Sequence, residues 1–237
     1  LSFVTALNWT PINYTTIFGL QGRYWLPVLP LVLALVHHNR TFAVQKPAER
    51  KAAFEQLINL IEEQEYHLDV GVLGGRVLFH VLTEFGYSDL AFSMITRPDY
   101  PSYGNWIARD ATTLWEMFQP ESSDRIGSLN HHFWGDISSW FTQALSGIRM
   151  APHGEPNEVD FRPSFISRLT HAEAFHIAPA GRIASAWERN EDDVIVLTVE
   201  LPSTMHGVIR LESGYVFEDG LAYKAAESGT YRIHSIE

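Results

Sequence analysis

The apolar residues of this 237-residue chain change their spacing part-way along it, and that change limits the folds open to it. Between Pro47 and Leu145 they recur three and four residues apart, as helices buried along one stripe require. From about Gly147 they sit in short alternating or β-branched runs between turn residues, as strands require. Helices first and strands after implies two packed layers of different kinds. The spacing predicts a helix over Pro47–Gln64, with Phe54, Leu57, Ile58 and Ile61 inward. A second is predicted over Val72–Phe85, with Leu73, Val77, Leu78, Val81, Leu82 and Phe85 inward and Gly86 as its stop. Ser88 is expected to cap a third, which carries Leu90, Ala91, Met94 and Ile95 and ends at Pro98. After a loop over Asp99–Gly104, a fourth helix is expected to include Ala111–Phe118. Asp136 is expected to cap a fifth, bearing Ile137, Trp140, Phe141 and Leu145. Strands are predicted at Ile183–Glu188, Val194–Leu201, His206–Leu211 and Thr230–Ile236, the first two joined by the turn Arg189–Asp193. The expected fold is mainly α plus β: an αα toroid, then an antiparallel β-sandwich.

Charge divides the chain too. Residues 1–47 carry Arg23, Arg40 and Lys46 and no acidic residue, while the remainder holds 14 basic and 28 acidic side chains. The uncharged run Tyr24–Val36 is 13 residues long, against about 20 for a membrane span. Pro27 and Pro30 fall in its first half. A signal peptide is rejected, because no basic region precedes the run and no small-residue cleavage site follows it. Two readings stay open: the end of a membrane protein with His37, His38 and Arg40 at the lipid boundary, or a buried helix. Asn8-Trp-Thr-Pro and Gln21-Gly-Arg-Tyr-Trp-Leu-Pro resemble the C-terminal end of a polytopic bacterial membrane protein family of unknown function. That resemblance implies a membrane-like or non-native segment over residues 1–46, with membrane contact through residues 1–38 and a cell-envelope location if the span is native.

Several chemistries are excluded. The chain has no cysteine, so disulfides, thiolate catalysis and cysteine-held metals are ruled out. A formal charge of −11 argues against a nucleic-acid partner. The glycines of His67-Leu-Asp-Val-Gly-Val-Leu-Gly-Gly75 lack the lysine of a phosphate loop and read as a turn into a helix. Gly104 and Gly135 read as backbone turns. The pairs His37-His38 and His131-His132 point adjacent side chains apart, and no metal or other cofactor is expected.

Two windows carry chemistry. Asp99-Tyr-Pro-Ser-Tyr-Gly104 leads to Ala111-Thr-Thr-Leu-Trp-Glu116, which sets a carboxylate beside an indole. A sugar-cleaving site needs that pairing: a ring for the C–H face and a carboxylate to take a proton or attack the anomeric carbon. Taken alone, this window favours the plainer reading, a core Trp115 and a solvated Glu116, since most glutamates are surface residues. Ser128-Leu-Asn-His-His-Phe-Trp-Gly-Asp136 offers His131 or His132 for a sugar hydroxyl, for proton transfer, or as filler at a helix start.

Taken in order, these pieces resemble the bacterial and fungal α-L-rhamnosidases, from about Pro47 to the end of the chain. The matching pieces are His67–Gly75, Leu82–Ala91, Asp99–Gly104, Ala111–Glu116, Ser128–His131 with Gly135, Trp140-Phe141, Gly147-Ile148 and Ala151-Pro-His153. The resemblance implies part of an (α/α)6 catalytic barrel over 47–147 and a β-sandwich over 148–237. It implies an inverting hydrolase that removes terminal α-L-rhamnose, with Glu116 as general base. Trp115 and Tyr103 would line the sugar pocket, where an apolar wall suits the methyl group of rhamnose, and His131 would face the sugar. The family usually has glycine where this chain has Asp110. Its general acid lies in helices before the match begins, and Glu62, Glu63, Glu65, Asp69 and Glu84 belong to no acid motif. The expectation is therefore a fragment or fusion of little activity by itself. The alternatives are a non-catalytic carbohydrate-binding or membrane-tethered module, and another (α/α)6 glycosidase.

Overall fold

A computed structural model describes residues 47–122, 127–152 and 154–236. Residues 1–46 lie outside the described residues, and with them the apolar run and His37-His38; so does His153. Among the described residues, no helix is long and apolar enough to cross a membrane. The chain forms two compact units. One comprises Thr96–His131 and the described residues up to Val81; the other comprises Leu82–Ile95 and the chain from His132 onward.

In the first unit, α1 (Pro47–Glu63) buries Phe54, Leu57 and Ile61, the predicted stripe. Its end is built by two residues with positive φ, Glu65 and Tyr66. The Glu65 N–H donates to the Glu62 carbonyl at 2.9 Å and the Tyr66 N–H to the Ile61 carbonyl at 2.8 Å, which satisfies carbonyls the helix leaves open. Helix α2 (Val72–Glu84) starts after the His67–Gly71 turn, as expected. Leu73 does not turn inward; it is 54% exposed in the first turn, and Phe79 at 2% supplies core volume instead.

In the second unit, Gly86 ends α2 at φ +83°, its N–H on the Thr83 carbonyl and the Tyr87 N–H on the Leu82 carbonyl. Helix α3 (Ser88–Thr96) buries Ala91, Met94 and Ile95. Ser88 is its first residue and not its cap: the Ser88 hydroxyl bonds the Ser164 hydroxyl at 2.9 Å.

The expected helix over Ala111–Phe118 is absent. A helix lies earlier, α4 (Tyr103–Ala108), and residues 111–118 form an irregular loop. The glycine at 104 is needed inside α4, and Asp110 turns the chain out of it. Helix α5 (Ile137–Trp140) passes into a π-helical turn, Phe141–Leu145. Asp136 does not cap it; its backbone is already helical and its side chain makes no cap hydrogen bond.

Among the described residues nine strands follow, all in the second unit: β1 (Ile148–Met150), β2 (Val159–Phe161), β3 (His171–Ala178), β4 (Gly181–Arg189), β5 (Ile195–Glu200), β6 (Val208–Arg210), β7 (Tyr215–Phe217), β8 (Tyr223–Ala225) and β9 (Gly229–Ser235). They form a sheet ordered β1-β2-β6-β8 and another ordered β3-β4-β5-β9-β7. Ile183, Ser185 and Trp187 of β4 and Ile195, Leu197 and Val199 of β5 alternate inward, and pack with Phe161 and Ile209 of the other sheet. Every pairing is antiparallel except β2 with β6, which runs parallel through Phe161 and Ile209. The Trp187 indole donates to the Leu145 carbonyl at 2.7 Å and holds the π-helical turn to the sandwich, while the Trp140 indole donates to Thr83 Oγ1 at 2.9 Å and joins α5 to the end of α2.

Candidate active site

The site is assembled in the first unit from the loop before α4, the loop after it, and residues 127–131. Arg97 grips Asp99 with a fork, Nε to Oδ1 at 2.9 Å and a terminal nitrogen to Oδ2 at 2.8 Å; its other terminal nitrogen donates to the Glu65 carbonyl at 3.0 Å. His67 Nε2 lies 3.0 Å from the same Asp99 Oδ2. These partners, Arg97 foremost and His67 next, hold the Asp99 carboxyl well below the usual carboxylate range. Beyond this clasp, Ser102 is fully buried and caps α4: its Oγ accepts from the Asn105 N–H at 2.8 Å. Gly104 packs directly on the preceding backbone. A Cβ there would stand 2.2 Å from the Arg97 carbonyl oxygen, so only glycine fits.

Helix α4 thereby presents Tyr103 and Trp106 to one aromatic cluster. Trp106 stacks on Phe118 with centroids 4.3 Å apart, Tyr103 meets both edge-on at 5.4 Å, and Trp115 lies 6.0 Å from Trp106. Trp115 is 9% exposed, and the Arg109 guanidinium sits 5.0 Å from its ring centroid. Arg109 also donates to the Gln119 carbonyl at 2.6 Å, which fixes both ends of the loop that carries Glu116.

That loop runs beside the Ser128–His131 segment in a short ladder. The Glu116 N–H donates to the Ser128 carbonyl at 2.8 Å, and the Ser128 N–H returns to Glu116 Oε2 at 2.9 Å. The His131 N–H donates to the Leu114 carbonyl at 2.8 Å, and Thr113 Oγ1 donates to the Leu129 carbonyl. The half-buried Glu116 carboxylate is thus aimed by a backbone donor. The structure brings Trp115, Glu116 and the backbone of His131 into one ladder, and joins Tyr103 to Trp115 through Trp106. Tyr103 and Trp115 are largely covered by the cluster. His132 is exposed, its ring edge-on to Phe133 at 5.3 Å.

Sequence reasoning did not single out Arg97, Arg109 or Gly127. A Cβ at Gly127 would come 2.8 Å from Met117 Cε and 3.4 Å from Glu116 Oε2, so this glycine lets the two loops approach. Its position one residue before the Ser-Leu-Asn-His box was the available signal. Among the described residues, no three His, Asp or Glu side chains gather as a metal site.

The family model of the bacterial α-L-rhamnosidase 6 hairpin glycosidase domain matches residues 26–145, half of the chain. The chain belongs to the bacterial α-L-rhamnosidase family. The model of that family's C-terminal domain matches residues 157–214. An α-L-rhamnosidase of Streptomyces avermitilis is 29% identical over 204 residues, 78% of this chain and 20% of that protein. One of Formosa agariphila is 31% identical over 169 residues, 69% of this chain and 18% of that protein. The chain therefore spans about a fifth of the length of the curated relatives it matches. The crystal structure of the S. avermitilis α-L-rhamnosidase complexed with L-rhamnose superposes with a TM-score of 0.71 at 27% identity, covering 86% of this chain and 21% of that one. The α-L-rhamnosidase of Dictyoglumus thermophilum gives 0.71 at 26%, covering 91% of this chain and 25% of that one. Partial helical barrel and β-sandwich both agree with the expected fold.

Proposed function

We propose that this chain acts in an inverting α-L-rhamnosidase, removing terminal α-L-rhamnose from glycosides, and that Glu116 is the general base. The ladder that joins the Trp-Glu loop to the Ser-Leu-Asn-His loop carries this reading, because it holds one carboxylate oxygen rigid beside the His131 segment. A base that must draw a proton from water has to be aimed before the substrate arrives. With Oε2 anchored on Ser128, the carboxylate can orient a water toward the anomeric carbon as the leaving group departs from the opposite face. His131 would bind a sugar hydroxyl, and Trp115 and Tyr103 would offer their uncovered edges to the C–H face and methyl group. An inverting site also requires a carboxylic acid roughly 6.5–9.5 Å from the base. We assign that role to none of Glu62, Glu63, Glu65, Asp69 or Glu84, and expect slight hydrolysis from this chain alone.

Two readouts on the purified chain test the proposal. Added L-rhamnose should shift the NMR signals of His131 and Trp115 in a saturable way. Any hydrolysis of an aryl α-L-rhamnoside should fall by about 100-fold or more in Glu116→Gln, with the rhamnose-induced shifts retained. Equal hydrolysis by wild type and Glu116→Gln, or no shift at His131, refutes it.

A further inference from the structure

We propose that the second unit carries a separate binding groove for a neutral pyranoside, between the π-helical turn Phe141–Leu145 and the edge strand β3. The concavity measures ≈ 430 Å³, within the range of small-ligand sites. Its apolar lining includes Phe92, Phe141 and Leu169, and its polar lining Thr142, His171 and Glu173. Phe141 is 39% exposed although its neighbour Trp140 is fully buried, so an aromatic face stays open to the groove. Thr142 Oγ1 donates to the Ser138 carbonyl at 3.1 Å, which leaves its lone pairs free to accept.

The π turn is the second, independent observation. Such turns are rare and are found frequently at functional sites. No proline or glycine lies within Trp140–Leu145 to force one. Here the turn lines the groove with Phe141, Thr142 and Leu145. Across from it, β3 is bonded to β4 along one edge and has no strand partner on the other among the described residues.

The lining selects the ligand. Glu173 is its one charged residue, which disfavours anions, and the acceptors and imidazole suit hydroxyl groups. A ring with one C–H face and a hydroxyl-bearing edge matches a groove that holds an open phenylalanine together with Thr142, His171 and Glu173. An added peptide strand would need the length of β3, whereas the groove touches only His171–Ala174.

The test is an NMR titration of the full chain with methyl α-L-rhamnopyranoside and, separately, methyl α-D-mannopyranoside. Saturable shifts are expected at Phe141, Thr142 and His171–Ala174. The affinity should weaken about tenfold in Phe141→Leu, which keeps apolar bulk and loses the aromatic face. It should weaken several-fold in the surface variant Glu173→Gln, and stay unchanged in Glu116→Gln. Response to either sugar supports the groove. Shifts there with none at residues 113–131 support it while refuting the role proposed for Glu116. Shifts confined to 113–131, or groove affinity that is equal in Phe141→Leu and wild type, overturn it.

Discussion

Replacing Asp110 by glycine should stabilise the protein by about 1 kcal/mol. Helix α4 ends in a closed pattern: the Asp110 N–H donates to the Ile107 carbonyl at 3.0 Å, and the Ala111 N–H to the Trp106 carbonyl at 2.9 Å. That geometry demands a left-handed residue at position 110, and Asp110 sits at φ +59°. A β-carbon in this conformation costs about 1–2 kcal/mol, less for aspartate, whose short side chain tolerates it. The exposed carboxylate also stands at the negative end of the helix, unfavourable by about 0.3–1 kcal/mol at low salt. It makes no hydrogen bond or ion pair among the described residues that would offset this. Against these gains stands the extra freedom of glycine in the unfolded chain, about 0.4–1 kcal/mol. The net favours glycine.

Thermal unfolding followed by near-UV circular dichroism is the assay, because Tyr103, Trp106 and Trp115 lie in or beside this helix. One kcal/mol corresponds to roughly 2–4 °C in Tm for a protein of this size. Asp110→Asn, which removes the charge and keeps the left-handed tolerance, should fall between aspartate and glycine, and Asp110→Ala below aspartate. High salt should narrow the gap between Asp110 and Asn by screening the helix end. If Asp110→Gly is neutral or destabilising, or Asp110→Ala matches it, backbone conformation does not control stability here.

Three other outcomes are expected of this structure. Gly104→Ala should destabilise by several kcal/mol, visible as loss of the near-UV signal, because the added carbon meets backbone oxygen and not a movable side chain. Glu212 is pushed up to about 7 by burial, against the N–H of Phe165, which donates to its Oε1 at 2.7 Å. Protons therefore bind the folded state more tightly, so the contribution of Glu212 to stability is greatest below pH 4.5 and declines as pH rises toward 7, by on the order of 3 kcal/mol; Glu212→Gln should flatten that slope in urea unfolding across this range. Asp99 has the opposite sign: its contribution is present above the unfolded value of 3.8 and lost as pH falls below it, so Asp99→Asn should remove part of the acid-side decline.

The limits of the sequence are clearest at three helix ends of one design. Helices α1, α2 and α4 all close with paired hydrogen bonds from the next two residues, with left-handed residues Glu65, Gly86 and Asp110 at the same position. Only Gly86 was legible, because glycine announces the conformation and glutamate and aspartate do not. Missing the end at Asp110 is what turned Ala111–Phe118 into an expected helix. Leu114, Trp115 and Phe118 are apolar at helical spacing, yet Trp115 and Phe118 reach the cluster from a loop by being large. The strands divide similarly. Runs in β4 and β5 alternate cleanly because one face is buried, whereas β3 alternates only over His171–Phe175, with small alanines inward, and then exposes Phe175, His176 and Ile177 in a row on an open edge.

The candidate site was legible as residue types and not as geometry, for a physical reason. Glu116 and Ser128 are twelve residues apart, and what joins them is a backbone ladder, which leaves no periodic trace in side-chain character. The groups that set the ladder lie outside both motifs: Arg109 fixes the first loop on Trp115 and Gln119, Gly127 admits the second, and the Arg97–Asp99–His67 clasp seats the turn before α4. A charge grips a ring, a missing side chain makes room, and an ion pair closes a loop. The carboxylate proposed as base therefore depends on more than the Ser128 N–H that holds its Oε2, and changes at Arg109 should disturb Glu116 through the loop that both share.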